Sequence, residues 1–217
     1  MTRMLELARK LASADRSTKA GGWDRKACTG IELDGKWLGL CGFGRIGRLV
    51  GARARAFGMR LAVFDPYVKP DAAVLLESQA QYCGRLEELL AAADFVSVHM
   101  PLTPETRHLF DARAFAAMKR GSYFINSSRG GVMDEKALLE ALASSRLGGA
   151  ALDVRETEPP TAGSGLENLS NVILTPHIGA FTMEAQQRTF EAVATDVDLL
   201  LSGGAAVNYV NMERPRR

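Results

Sequence analysis

Three glycines, Gly42, Gly44 and Gly47, form the pattern G-x-G-x-x-G inside Gly-Leu-Cys-Gly-Phe-Gly-Arg-Ile-Gly-Arg, residues 39–48. A short apolar run, Lys36 to Cys41, precedes them, and a run rich in Ala and Arg, Arg48 to Met59, follows. That order suits a strand turning sharply into a helix. Gly42 permits the turn, Gly44 lets a pyrophosphate approach the backbone, and Gly47 lets the helix pack close to the strand. The pyrophosphate then meets free N–H groups at the positive end of the helix. A second apolar run, Arg60 to Phe64, ends in Asp65. A carboxylate there accepts hydrogen bonds from the adenosine ribose hydroxyls and favours NAD over NADP. Taken alone, the glycine pattern fits a turn without a ligand equally well. Strand, helix and acid in this order favour the dinucleotide.

Further polar residues fall where apolar runs end. His99 and Met100 lie at the end of the run Phe95–Met100, which Pro101 stops, and Ser127, Ser128 and Arg129 follow Ser122–Asn126. Asp153 lies near the end of Gly149–Val154, and His177 follows Asn171–Leu174. Between these runs and the short Ala80–Tyr82 lie helical stretches at Arg85–Ala92, Asp111–Met118 and Glu135–Ser145, with a final helix at Met183–Leu201. Short apolar strands alternating with helices predict an α/β fold with a doubly wound parallel sheet of Rossmann type, covered on both faces. Its cleft lies at the carboxyl ends of the strands. Five polar clusters on one rim, with an Arg, a Glu and a His, exceed what solvation of loops requires.

Composition narrows the function classes. The chain has 217 residues, 47% apolar and 24% charged, with net charge +2. Such a balance supplies no global attraction to nucleic acid or a membrane surface. Arg45, Arg48, Arg53, Arg55 and Arg60 read as the solvated face of the first helix, with Arg45 near enough to the phosphate turn to help neutralise it. Cys28, Cys41 and Cys83 are odd in number and widely spaced, which argues against a disulfide scaffold or a metal site. Cys41 reads as a small buried hydrophobe. No signal-peptide pattern and no run of membrane-spanning length occurs, so a cytoplasmic protein is expected.

Several segments together resemble the D-isomer-specific 2-hydroxyacid dehydrogenases, most of all the phosphoglycerate dehydrogenases and hydroxypyruvate or glyoxylate reductases. They are Lys-Ala-Gly-Gly-Trp-Asp-Arg-Lys (19–26), the glycine turn (38–48), Val-Phe-Asp-Pro-Tyr (63–67) and Val-Ser-Val-His-Met-Pro-Leu-Thr-Pro-Glu-Thr (96–106). Phe-Ile-Asn-Ser-Ser-Arg-Gly-Gly-Val-Met-Asp-Glu (124–135), Gly-Ala-Ala-Leu-Asp-Val (149–154), Glu-Pro-Pro (158–160) and Thr-Pro-His-Ile-Gly-Ala (175–180) follow in order.

The resemblance implies an NAD-dependent enzyme transferring hydride between NAD(H) and a small 2-hydroxy or 2-oxo acid. Its catalytic trio maps onto Arg129, Glu158 and His177. Arg129 would bind and polarise the 2-oxo acid, for which a rigid guanidinium fork is suited. His177 would exchange a proton with the carbonyl oxygen, and Glu158 would orient the imidazole and favour its protonated form. The cofactor set would comprise Gly42, Phe43, Gly44, Arg45, Ile46 and Gly47 at the phosphates and Asp65 at the ribose. Met100, Pro101 and Thr106 would line the adenosine side. Ser127, Ser128 and Arg129 would lie under the nicotinamide ribose and Asp153 at the carboxamide, with His177 and Gly179 completing the set. No metal is implied.

The resemblance also divides the chain. Residues 1–20 match an interdomain and dimerisation helix, 21–182 an NAD-binding Rossmann domain, and 183–217 a C-terminal helix and tail left from a substrate domain. On this resemblance the chain is expected to lack the upstream part of that substrate domain, which would grip the substrate carboxylate. Met4–Ala14 and the loop Thr103–His108 match the region where the family builds a twofold interface, so a homodimer is expected. Arg155 departs from the aromatic that the family usually carries after Asp-Val. The alternative is a truncated, catalytically impaired NAD(H)-binding oligomeric module without turnover.

Overall fold

Strands covered on both faces must place apolar side chains on both sides of the sheet, and the strands here do so. They are β1 (Trp37–Cys41), β2 (Arg60–Phe64), β3 (Ala80–Tyr82), β4 (Phe95–Val98), β5 (Tyr123–Asn126), β6 (Gly149–Leu152) and β7 (Val172–Leu174). In the computed structural model, which describes residues 1–160 and 163–208, these strands form one parallel sheet in the order β3-β2-β1-β4-β5-β6-β7. The predicted doubly wound sheet is thus present. Its strand order reverses between β1 and β4, the place where such sheets open a crevice.

The two faces bury separate cores. Leu38, Leu40, Val63, Phe95 and Ile125 point to a layer made by α1 (Thr2–Arg9), α3 (Arg45–Ala56) and α4 (Ala73–Ser78). Val96, Val98, Phe124, Ala150 and Leu152 point to the opposite layer, from α5 (Leu86–Ala92), α6 (Ala112–Ala117) and α7 (Glu135–Ala143). In that second core Phe115 meets Phe124 edge-on at 5.2 Å, and Phe110 lies 5.1 Å from Phe124. Cys41 and Cys83 are buried there as free thiols. Burial pushes both thiols up, which leaves them unreactive.

The helix predicted over Met4–Ala14 breaks at Lys10, which adopts a left-handed φ of 51° between α1 and α2 (Leu11–Lys19). The cause is tertiary. Ile31 donates its N–H to the Ala8 carbonyl at 2.8 Å, the acceptor that a continuing helix would use. Gly30 crosses that carbonyl so closely that a Cβ would overlap it. α3 begins at Arg45 rather than near Arg48, because Gly42 reverses the chain at φ 94° and Gly44 is already the helix N-cap. α4, six residues long, is too short to show a helical period in the sequence.

The chain divides after Pro176 into two compact units. The second holds α8 (Met183–Leu201), with the bounds expected from sequence. Thr182 starts it, its hydroxyl accepting the Ala185 N–H at 3.1 Å. Asp196 accepts the N–H groups of Val207 and Asn208 at 2.8 and 2.9 Å and so folds the following chain back toward the helix. Phe190, Val193, Val197 and Leu201 are exposed. Of the predicted C-terminal tail, residues 209–217 lie outside the described residues.

Two features are open to direct test. Gly30→Ala places a methyl against the Ala8 backbone, which has no side-chain freedom to yield. It should cost about 1–3 kcal/mol and lower Tm by several degrees in a thermal melt. An unchanged Tm would show that the α1–α2 break is not held by this crossing. The second feature is His99, just beyond β4, whose Nε2 lies 2.9 Å from Ser97 Oγ. Burial pushes its pKa down to about 4. Below pH ~6.5 the unfolded chain therefore takes up a proton that the native ring refuses. This contribution to stability is fully present above pH ~6.5 and is lost as pH falls toward 4, with a slope of at most about 1.4 kcal/mol per pH unit. Melts of the wild type against His99→Gln should diverge over that window, the wild type falling more steeply. Parallel curves would refute the buried neutral ring.

Candidate cofactor and active site

The turn between β1 and α3 is built by close approach. A Cβ on Gly42 would lie 2.9 Å from the His99 backbone, and one on Gly47 would overlap the Gly42 carbonyl. A Cβ on Gly44, by contrast, would meet nothing within 4 Å. Open space therefore faces the helix N-terminus where a pyrophosphate would lie. No side chain caps that terminus, and its first turn carries no acid. It carries Arg45 and Arg48 instead. Cations at the positive end of a helix are unfavourable unless an anion is present. The residues of this turn therefore fit a dinucleotide pyrophosphate. Phe43 differs from its neighbours: its side chain is fully buried, and its N–H is donated to Asp65 Oδ2 at 2.7 Å.

Asp65 follows β2 and is half-buried. Its other oxygen accepts the Tyr67 N–H at 2.9 Å. Two backbone donors thus fix the carboxylate beside the glycine turn. Beyond β4, Met100 is buried and Pro101 exposed. Thr106 closes this loop, its hydroxyl donating to the Pro101 carbonyl at 2.7 Å and accepting the Thr103 N–H at 2.8 Å.

The turn after β5 is organised by Asn126, which the sequence reading did not single out. Its buried amide accepts the Ser128 N–H and hydroxyl at 3.0 and 2.9 Å and donates to the Arg129 carbonyl at 3.0 Å. Ser127 and Arg129 are exposed at the tip. Arg129 Nη1 donates to the Ser128 carbonyl at 2.7 Å, which holds the guanidinium near the turn.

Gly130 then packs directly on the backbone of Arg155, leaving no space for a Cβ. The Arg129 turn and the loop bearing Glu158 are therefore in contact. Arg155 is itself buried and forks onto Glu135, with Nε and Nη2 at 3.0 and 2.9 Å from the two carboxylate oxygens. Its Nη1 reaches Glu167 at 3.2 Å, and its backbone N–H is donated to Glu158 Oε1 at 2.9 Å. Glu135 Oε1 also accepts the Glu156 N–H at 2.6 Å. An ion-pair network thus lies beneath this loop. Glu135 reads in the sequence only as an ordinary first-turn helix acid.

Asp153 lies just beyond β6, almost completely buried, and accepts from Arg3 Nη2 at 2.6 Å and Thr175 Oγ1 at 2.5 Å. Arg3 is 150 residues away in sequence, so no local pattern announces the pair. Gly42 to Gly47, Asp65, Met100 to Thr106, Ser127 to Arg129, Asp153 and Glu158 all follow strands of the first unit. His177 and Gly179 open the second unit, where His177 adopts a left-handed φ of 54°. That conformation is uncommon for a side chain with a Cβ.

Residues 1–179 match the family model described as "D-isomer specific 2-hydroxyacid dehydrogenase, NAD binding domain". The chain is 47% identical over 210 residues to the D-3-phosphoglycerate dehydrogenase of Methanocaldococcus jannaschii, covering 96% of this chain and 39% of that one. It is 47% identical over 187 residues to the hydroxypyruvate reductase of Thermotoga maritima, covering 85% of this chain and 59% of the relative. The crystal structure of D-lactate dehydrogenase with NAD+ from Lactobacillus jensenii superposes with a TM-score of 0.85 at 27% identity, covering 97% of this chain and 66% of that one. The chain thus spans about two fifths of the length of the phosphoglycerate dehydrogenase it matches. It belongs to the D-isomer-specific 2-hydroxyacid dehydrogenase family and matches that family's NAD-binding domain.

Proposed function

We propose that this chain forms the nucleotide-binding part of an NAD-dependent dehydrogenase acting on a small 2-hydroxy or 2-oxo acid. The observation that carries the reading is the uncapped, doubly basic N-terminus of α3, which faces open space at Gly44 beside a fixed Asp65. When bound there, NAD(H) supplies the hydride or receives it. The chain's own residues supply the rest. Arg45 and the first-turn N–H groups of α3 neutralise the pyrophosphate. Asp65 accepts from the adenosine ribose, and its charge repels a 2′-phosphate. Asp153 accepts from the carboxamide.

Arg129 pairs with the substrate carboxylate and polarises the carbonyl, tasks suited to an exposed guanidinium on a rigid turn. His177 gives its proton to the carbonyl oxygen in reduction and removes it in oxidation, and Glu158 orients the imidazole. These three roles rest on the resemblance of the motifs around them. On the same basis Met4–Ala14 and Thr103–His108 form a homodimer interface. Among the described residues no helix is long and apolar enough to cross a membrane. A second reading, an NAD(H)-binding oligomeric module without turnover, is favoured by the apolar side chains that α8 exposes.

Titration with NADH and NADPH, followed by addition of hydroxypyruvate or glyoxylate, tests the first reading. NADH should bind at least about tenfold more tightly than NADPH, a difference of about 1.4 kcal/mol. NADH oxidation should follow, and His177→Gln should lower kcat/KM by about 10²–10⁴ with NADH affinity intact. Arg129→Lys should raise KM, because a point charge cannot reproduce the fork. NADH binding without oxidation would leave the second reading, and no NADH binding would overturn both. Sedimentation across micromolar concentrations should give a dimer; monomer throughout would remove the interface.

A further inference from the structure

Arg3 and Asp153 form an ion pair between positions 150 residues apart. Asp153 has a side-chain exposure of 1% and Arg3 of 17%, with Nη2 and Oδ1 2.6 Å apart. Arg3 lies in the first turn of α1, where the helix dipole disfavours a cation. Taking charges out of water costs several kcal/mol per ion, and replacing a buried ion pair by apolar residues of similar volume is often neutral or stabilising. Around it, Met4, Leu7 and Ala8 already bury the inner face of α1. What the pair does achieve is control of one carboxylate. Arg3 and Thr175 both donate to Oδ1, so the Asp153 carboxyl is held in one rotamer at the carboxyl edge of the sheet.

We propose that Arg3 is a positioning residue for the nicotinamide end of the cofactor cleft. It acts through Asp153 and makes that group a fixed, charged acceptor for the carboxamide N–H. This inference rests on the NAD(H)-binding reading above and adds a residue from the opposite end of the chain. A carboxylate accepts an amide N–H, whereas a carboxylic acid in its place would offer a competing donor. Without Arg3 the buried Asp153 loses the guanidinium on Oδ1, and its acceptor geometry at the cleft is less fixed. The effect is confined to ligands that carry the nicotinamide. The adenosine, pyrophosphate and ribose contacts belong to the glycine turn, Asp65 and the loop after β4.

The test compares NADH with ADP-ribose, which shares everything except the nicotinamide, by titration calorimetry on the full chain. Arg3→Met should raise the NADH Kd by about tenfold, equivalent to about 1.4 kcal/mol, while the ADP-ribose Kd stays within about twofold. Arg3→Lys should recover part of the loss, since it restores the charge without the planar fork. Equal losses for both ligands would show a merely structural role and overturn the proposal, as would an unchanged NADH Kd. If Arg3→Met fails to fold, Arg3→Lys decides by the same comparison. A selective loss for NADH supports the proposal, and a parallel change or none overturns it. Wild-type protein that binds neither ligand would instead remove the cofactor reading itself. A selective null result in a wild type that binds both would remove only the role of Arg3.

Discussion

The approach of α3 to β1 and to the end of β4 governs the carboxyl edge of this sheet. Gly42 and Gly47 sit where any Cβ would collide with backbone, so the helix starts at once and its N-terminus stands directly above the strand-order reversal. Gly44, between them, faces open space. Dense packing at Gly42 and Gly47 and open space at Gly44 leave the helix N-terminus accessible between them. Arg45 and Arg48 add positive charge to the first helical turn, and Arg48 Nε donates to the Phe43 carbonyl at 3.0 Å. Asp65 then ties the glycine turn to β2 through the Phe43 N–H. Asp65 and the glycine turn are therefore one rigid piece.

Buried charge organises the other half of the edge. Arg155 forks onto Glu135, which also accepts the Glu156 N–H, and the Arg155 N–H is donated within the same loop to Glu158. Arg3 performs a related task at Asp153. Ion pairs of this kind are weak evidence for stability, since desolvation offsets most of the attraction. Their value is directional. A guanidinium fork admits few geometries, so it sets the position of a loop or a carboxylate more narrowly than apolar contact does. Asn126 does similar work with neutral groups, holding the Ser128–Arg129 turn from beneath.

Much of this architecture was legible in the sequence. Apolar runs bounded by Gly, Pro and polar residues located all seven strands among the described residues, and their alternation with helices implied a parallel sheet. α8 was bounded correctly because nineteen residues with a Thr cap carry both a period and a start signal. The misplacements have local reasons. α4 offers too few residues for a period, and α3 starts early because a glycine turn consumes fewer residues than a side-chain cap would. The α1–α2 break was invisible because its cause, the Ile31 N–H on the Ala8 carbonyl, comes from another segment.

By itself the sequence determined which residues end strands, and hence that Asp65, Arg129 and Asp153 share one rim. That follows from the period of two along a strand and the parallel order that helical crossovers impose. Only the tertiary structure decided what holds those residues. Arg3 on Asp153, Glu135 on Arg155 and the Gly130 backbone on the Glu158 loop join positions that no sequence period relates. Local chemistry dictates where a side chain emerges, whereas long-range packing alone dictates which charges and hydrogen bonds meet it there.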